Sequence, residues 1–179
     1  GMFRFNAGME QKTMPDYNPY TIKRCKDCDM SNGKMELVFV PENELCAACK
    51  LVRELAKTDA KQTRAAAKPL QGTIIRNTHF HHDVNITGTS IREWTNQPHK
   101  HFKAKNQMLL DINNVFSNAA YLGTTDNHKG IKRVVQSHIF EVEVSGEKNL
   151  LIVREYDWGE YVLHSISDSP ELYNKIKKE

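Results

Sequence analysis

The stretch Val134-Val-Gln-Ser-His-Ile-Phe-Glu-Val-Glu-Val144 is rich in β-branched and aromatic residues, and it predicts a β-strand. Residues 150–156 and Tyr161–Ser167 have the same character. The turns Ser145-Gly-Glu147 and Asp157-Trp-Gly159 separate the three segments. Because such short connections join antiparallel neighbours, the last third of the chain is predicted to form an antiparallel meander.

The sequence before these strands has mainly helical character. Ser90, followed three residues later by Glu93, matches the capping box that begins a helix. A second helix is predicted over residues 99–115, and shorter elements over residues 72–76 and 118–122. Helices followed by strands predict an α+β fold.

All four cysteines lie in the first third of the chain, in the pairs Cys25-Lys-Asp-Cys28 and Cys46-Ala-Ala-Cys49. The 17 residues between the pairs match the spacing of zinc sites, in which four thiolates surround one ion. Residues 35–40 are predicted as a strand, and a helix is predicted after Cys46. This order predicts a treble-clef-like module with one structural zinc ion. Two disulfides or four free thiols are the alternatives, but disulfides require an oxidising compartment.

Composition and helix-ending residues suggest two modules. Pro69 and Gly72 end the helix after the cysteines, so we expect a zinc-binding module and linker helix over residues 1–70. The rest, residues 71–179, is the predicted α+β domain. The formal charge of +3 neither requires nor excludes a nucleic-acid partner.

The sequence contains no segment typical of a membrane protein. No apolar run approaches the roughly 18–20 residues that cross a bilayer. The first residues lack the charged and apolar regions of a signal peptide, and Gly1 before Met2 resembles a remnant of tag cleavage. We therefore expect a cytoplasmic protein with no membrane partner.

The second module contains all eight histidines and no cysteine, which excludes a thiol nucleophile there. The run His79-Phe-His-His82 before Asp83 is open to two interpretations, a second metal site or a surface cluster. Histidine also transfers protons near neutral pH, and lysine binds phosphate as a point charge. His99 lies close in sequence to Lys103 and Lys105, so this segment is a candidate centre for RNA cleavage without metal.

His164 and Ser165, on the last predicted strand, are candidates for the second proton-transfer group. The strand period does not show which of the two faces a site, because apolar residues share both of its faces. A structural histidine is the alternative for His164.

Residues 86–101, Ile-Thr-Gly-Thr-Ser-Ile-Arg-Glu-Trp-Thr-Asn-Gln-Pro-His-Lys-His, resemble a signature of phage-encoded nuclease-like domains. Residues 137–144 and 161–166 resemble later parts of the same signature. The group is named after barnase, EndoU, colicins and RelE, and the chain resembles its third phage subgroup. The resemblance covers about residues 73–168, and Asn96-Gln-Pro-His99 is its most specific part.

The resemblance implies helices packed on a roughly four-stranded antiparallel sheet and metal-independent RNA cleavage through a 2′,3′-cyclic phosphate. It implies that His99 is the motif histidine and that His164 with Ser165 is the polar pair of the last strand. Asn96 lies within the motif, and Arg154 lies where a phosphate-binding arginine would be useful.

The sequence thus predicts an endoribonuclease of phage or prophage origin, with RNA as its substrate and a structural zinc module in front. The zinc module is expected to contact a nucleic acid or a protein partner. A non-catalytic protein that binds RNA or DNA with the same basic surface is the alternative.

Purified protein is expected to contain one zinc ion per chain, because Cys25, Cys28, Cys46 and Cys49 supply a complete tetrahedral set of thiolates. Elemental analysis measures this directly. Substituting Cys28→Ser should lower the zinc content and lower the stability of the N-terminal module. Zinc-free protein with two disulfides by mass spectrometry would contradict the prediction.

Overall fold

In the computed structural model, residues 20–23, 38–41, 47–96 and 100–178 are described. These residues form two units, Gly1–Thr58 with Pro98–His101 and Asp59–Gln97 with Phe102–Glu179. In chain order the elements are β1 (Tyr20–Lys23), β2 (Val38–Pro41), α1 (Ala47–Ala67), a 3-10 turn (Lys68–Leu70), β3 (Ile74–Asn77), β4 (Phe80–Asn85), α2 (Gly88–Thr95), α3 (Phe102–Leu110), α4 (Ile112–Asn118), β5 (Ala120–Asp126), β6 (Val134–Val144), β7 (Glu147–Tyr156), β8 (Tyr161–Ser167) and α5 (Pro170–Asn174).

In the first unit, β1 and β2 pair antiparallel, with Thr21 opposite Val40. Cys49 lies in the first turn of α1, where it is buried. Cys25, Cys28 and Cys46 lie outside the described residues. The zinc site therefore stays a prediction.

The second unit contains a sheet of six strands in the order β3-β4-β8-β7-β6-β5 within the described residues. The predicted α+β class is confirmed. The predicted meander is confirmed too, because β6, β7 and β8 pair antiparallel through their short turns. The sheet therefore has two strands more than the roughly four predicted. The difference arises because the β3–β4 hairpin joins the sheet through a parallel pairing of β4 with β8.

Helices α2, α3 and α4 pack on one face of this sheet, which we call the helix face. Trp94 of α2, Leu109 of α3 and Phe116 of α4 are fully buried in a single hydrophobic core. From the sheet, Phe140 and Leu151 join the same core. Burying this apolar surface is the main favourable term in folding.

The end of α1 belongs to this second unit. Ala67 is fully buried in its core and Leu70 packs against it. Arg64 donates through Nε to Thr95 Oγ1 over 2.8 Å, and Asp59 accepts from Asn106 Nδ2 over 2.7 Å. The second unit therefore starts upstream of the boundary predicted at residue 70.

Two helix predictions are wrong in detail. The N-cap of α2 is Thr87 rather than Ser90, which is the third helical residue and completes a reciprocal capping box with Thr87. The helix predicted over residues 99–115 is two helices, α3 and α4, with a break at Asp111. No glycine or proline marks that break in the sequence, so composition alone did not predict it.

The segment after α5 crosses the edge strand β5. Lys177 and Thr124 exchange two backbone hydrogen bonds, of 2.7 and 3.0 Å. Gly123 next to them has φ +137°, and a Cβ there would collide with the carbonyl oxygen of Lys177. Only glycine fits this position.

Replacing Gly123→Ala should therefore destabilise the protein by about 2 kcal/mol or more, because a collision adds to the backbone strain. The matched control is Gly130→Ala, which has φ +61° but open space around its Cβ and should cost only about 1 kcal/mol. Urea unfolding of both variants measures the difference. Equal losses would show that the C-terminal segment does not constrain β5.

Candidate functional site

The sheet face opposite α2, α3 and α4, which we call the outer face, carries the candidate site. Val153 of β7 is in the core, so its neighbour Arg154 points to the other side because side chains alternate along a strand. Arg154 pairs with Ser137 of β6 and Val162 of β8. The predicted phosphate-binding residue therefore lies on the outer face, on a strand with a neighbour on each side.

His164 reaches the same face through a β-bulge. Ile152 pairs with Ser165 and Val153 pairs with Leu163, so His164 is the extra residue of β8. Leu163 is fully buried on the helix face, whereas His164 is only partly buried. A bulge of this kind redirects a side chain, and bulges are frequent next to active sites.

Arg154 and His164 share two neighbouring clefts. The α2 cleft, of about 300 Å³, also contains Thr89 and Trp158. The α5 cleft, of about 350 Å³, also contains Lys129 among its lining residues. A ligand bound in either cleft can therefore contact both residues.

Further polar groups line the α5 cleft. They come from the turn after β5, from β6 and from α5, and include His128, Ser137, Glu171 and Lys175. Asp126 at the same cleft is paired with Lys177, with Nζ to Oδ2 at 2.9 Å. The hydrogen bond from Lys177 lowers the pKa of Asp126, so this carboxylate is ionised and its charge is balanced.

The environment of His164 keeps its imidazole neutral. Burial and the neighbouring Arg154 guanidinium lower the pKa of His164 to about 4, although Glu93 acts in the opposite direction. A neutral imidazole has one nitrogen free to accept a proton at pH 7. Chemically, this arrangement combines a proton acceptor with a permanent positive charge.

The other predicted residues of the second unit do not join this pair in either cleft. Ser165 is buried, with 7% of its surface exposed. Lys105 is also buried, and its Nζ lies 3.8 Å from Asp168 Oδ2. Lys103 is exposed on α3, and Asn96 accepts a hydrogen bond from Arg64 Nη2 over 2.7 Å at the C-terminal cap of α2.

His99 lies outside the described residues. Its position relative to Arg154 and His164 therefore stays a prediction.

A second polar cluster lies on the helix face. Tyr121 Oη is 2.9 Å from His138 Nδ1, and His138 Nε2 is 2.7 Å from Glu155 Oε1. Burial acts to raise the pKa of Glu155, but hydrogen bonds from Gln136 and His138 outweigh it and lower the pKa overall. His138 is buried, with 6% of its surface exposed.

The sequence analysis did not assign a role to His128, Lys129 or Lys175, which line the α5 cleft. A signal for the first two is the loop Asp126-Asn-His-Lys-Gly130, a turn sequence with two basic side chains. No sequence signal points to Lys175, because this residue reaches the cleft only through the packing of α5 over the outer face.

Metal and membrane features can be tested only in the described part of the chain. There, no group of three or more His, Cys, Asp or Glu side chains is placed to bind a metal, so the histidine run 79–82 is not confirmed as a metal site. Helices in the same residue ranges are too short or too polar to cross a bilayer.

Removing the positive charge in Arg154→Gln should raise the pKa of His164 from about 4 toward the ordinary value near 6.5. NMR titration of the His164 ring measures this shift. The matched control is Arg133→Gln, which removes an arginine that is not among the charges acting on His164. An unchanged pKa in Arg154→Gln would show that the two groups are not electrostatically coupled.

The lowered pKa of His164 also makes the free energy of unfolding depend on pH. Between about pH 6.5 and 4 the unfolded chain binds one proton more at His164 than the folded chain, so stability should fall as the pH is lowered through this range. His164→Gln should remove this contribution, which unfolding curves at a series of pH values would detect.

Comparison with known proteins identifies one family. Residues 54–171 match large polyvalent protein-associated domain 3, and this match covers more than half of the chain. The family is phage-associated, which fits the predicted phage origin. Neither a curated protein nor a solved structure matches the chain significantly. The chain belongs to the large polyvalent protein-associated domain 3 family.

Proposed function

We propose that the outer face of the sheet cleaves RNA without a metal ion. The substrate is a phosphodiester of RNA, and the products are a 2′,3′-cyclic phosphate and a free 5′-hydroxyl. The observation that supports this proposal is the shared position of Arg154 and His164, which line the same two clefts. This pair supplies a cation for the phosphate and a base for the hydroxyl.

His164 acts as the general base in this proposal. It accepts the proton of the ribose 2′-hydroxyl while the 2′-oxygen forms a bond to phosphorus. The bond from phosphorus to the 5′-oxygen breaks, and a general acid protonates the leaving oxygen. His164 suits the first step rather than the last, because it is neutral at pH 7.

Arg154 holds the phosphodiester during this step. A guanidinium presents a fork of donors that matches phosphate oxygens, and it keeps its charge at all physiological pH values. The bound phosphate also compensates the positive charge beside His164, and this raises the pKa of His164 toward the pH at which a base works well.

His99 is the proposed general acid, on the strength of the sequence motif alone. Lys129 and Lys175 at the α5 cleft add positive charge for the phosphates of neighbouring nucleotides. Lys105 is left out of the proposed site because its ammonium group lies buried beside Asp168.

The zinc module is a separate proposal. Cys25, Cys28, Cys46 and Cys49 would hold a structural zinc ion, which the catalytic step does not use. The module would bring the nuclease domain to a nucleic acid or a protein partner.

His164→Ala should lower the rate of RNA cleavage by about 10²- to 10⁴-fold, the range typical of a lost general base. The assay contains a chelator, and mass spectrometry of the products should show the 2′,3′-cyclic phosphate. His79→Ala is the matched control, because His79 is an exposed histidine that does not line the α2 or the α5 cleft. Arg154→Gln should also lose activity, whereas Arg154→Lys should keep part of it.

Three outcomes would contradict the proposal. Cleavage that stops with chelator would indicate a metal-dependent reaction. Full activity in His164→Ala would remove the proposed base. Binding of RNA without cleavage by the wild-type protein would favour the alternative, a non-catalytic protein that binds nucleic acid through Arg154 and the neighbouring lysines.

A further inference from the structure

The turn between β7 and β8 presents an aromatic pair at the surface. Half of Trp158 is exposed, at 51% of its surface, although tryptophan usually buries most of its ring. Its indole stacks on the ring of Tyr156, with centroids 4.6 Å apart and planes inclined by 27°. An exposed aromatic pair, apolar on its faces and polar at one edge, is suited to contact a ligand.

Hydrogen bonds fix the orientation of this pair. Trp158 Nε1–H donates to Glu160 Oε1 over 2.9 Å, and the other carboxylate oxygen of Glu160 accepts from Asn85 Nδ2 over 2.8 Å. The turn itself is closed by Gly159 N–H, which donates to the carbonyl oxygen of Tyr156. The indole is therefore held before any ligand arrives, so binding costs little conformational entropy.

The pair also carries a cation. The guanidinium of Arg133 lies over the indole, with its carbon 4.9 Å from the centre of the Trp158 ring, so it extends the stacked surface. Asp157 keeps Arg133 in place through an ion pair of 3.0 Å. An aromatic ring next to an arginine is a common arrangement in sites that bind nucleic-acid bases beside their phosphates.

The position of the pair connects it with the proposed catalytic residues. Tyr156 and Trp158 line the α2 cleft together with Arg154 and His164. Trp158 also borders a third cleft on its other side, where His82 stacks on Tyr161 with ring centroids 4.2 Å apart. A nucleic-acid strand with its phosphate at Arg154 would therefore have aromatic rings within its path.

We infer that Tyr156 and Trp158 form a binding platform for an unpaired nucleobase next to the phosphate held by Arg154. This inference rests on the proposed function and adds the substrate class, single-stranded RNA. In a duplex the faces of every base are covered by its neighbours, so a base can stack on the platform only where the strand is unpaired. Stacking on an aromatic ring does not select one base, because every base has a π-face.

The probe for this platform is a single-stranded 2′-O-methyl hexamer, which binds but cannot be cleaved because its 2′-oxygen is blocked. The chain has two tryptophans, and Trp94 is fully buried, so a ligand that changes the fluorescence reports on Trp158. The hexamer should quench the fluorescence in a saturable manner. A hexamer of the same charge with abasic sugars, and a duplex of the same sequence, should bind more weakly.

The Trp158 variants lack the fluorescent reporter, so their binding is measured by isothermal titration calorimetry. Trp158→Ala should weaken binding of the hexamer by about 5- to 150-fold, the cost of one lost stacked base. Trp158→Phe should keep most of the affinity because it retains an aromatic face. Leu110→Ala is the matched control, since it removes another exposed apolar side chain, on α3. Unchanged circular dichroism in each variant shows that the fold is intact.

The results separate this inference from the proposed function. If the hexamer quenches Trp158 but wild-type protein cleaves no RNA, the platform stands and the nuclease proposal fails. If RNA is cleaved but Trp158→Ala binds the hexamer as well as wild type, the platform is overturned and the nuclease proposal stands. Equal affinity for the single strand, the duplex and the abasic strand would also overturn the platform.

Discussion

The parallel pairing of β4 with β8 joins the two halves of the second unit. It consists of two residue pairs, Val84 with Tyr161 and Asn85 with Val162. Beyond Asn85 the chain leaves the sheet, is anchored by the fully buried Ile86, and turns into α2. Because β4 ends there, the rest of β8 pairs only with β7, and the bulge at His164 lies in this part of the strand. Both clefts that contain His164 lie beside this part of β8.

The β-meander could be predicted because its signals are local. The boundaries of β6 and β8 agree with the predicted strands, since short turns and β-branched residues determine both. β4 was not predicted as a strand, because His81, His82 and Asp83 interrupt its apolar residues. Phe80 and Val84 nevertheless fill the core, so tertiary packing outweighs the weak β-propensity of that segment.

The site was only partly predictable, for a similar reason. Arg154 and His164 were candidates from the sequence, but a regular strand would not have shown that they share a face. The bulge that brings His164 to the outer face depends on the register between β7 and β8, which no local pattern encodes. Lys105 is a candidate that the structure buries. Its position in a basic segment gave no sign that packing would enclose it.

The two backbone hydrogen bonds between Lys177 and Thr124 have a consequence for how this protein behaves in concentrated solution. β5 is at one border of the sheet, where unpaired N–H and C=O groups invite another chain to add a strand. Lys177 occupies part of that border and adds its own charge, and Gly123 lets it approach closely. The C-terminal segment therefore protects the sheet against edge-to-edge aggregation, a role separate from any contribution to the clefts.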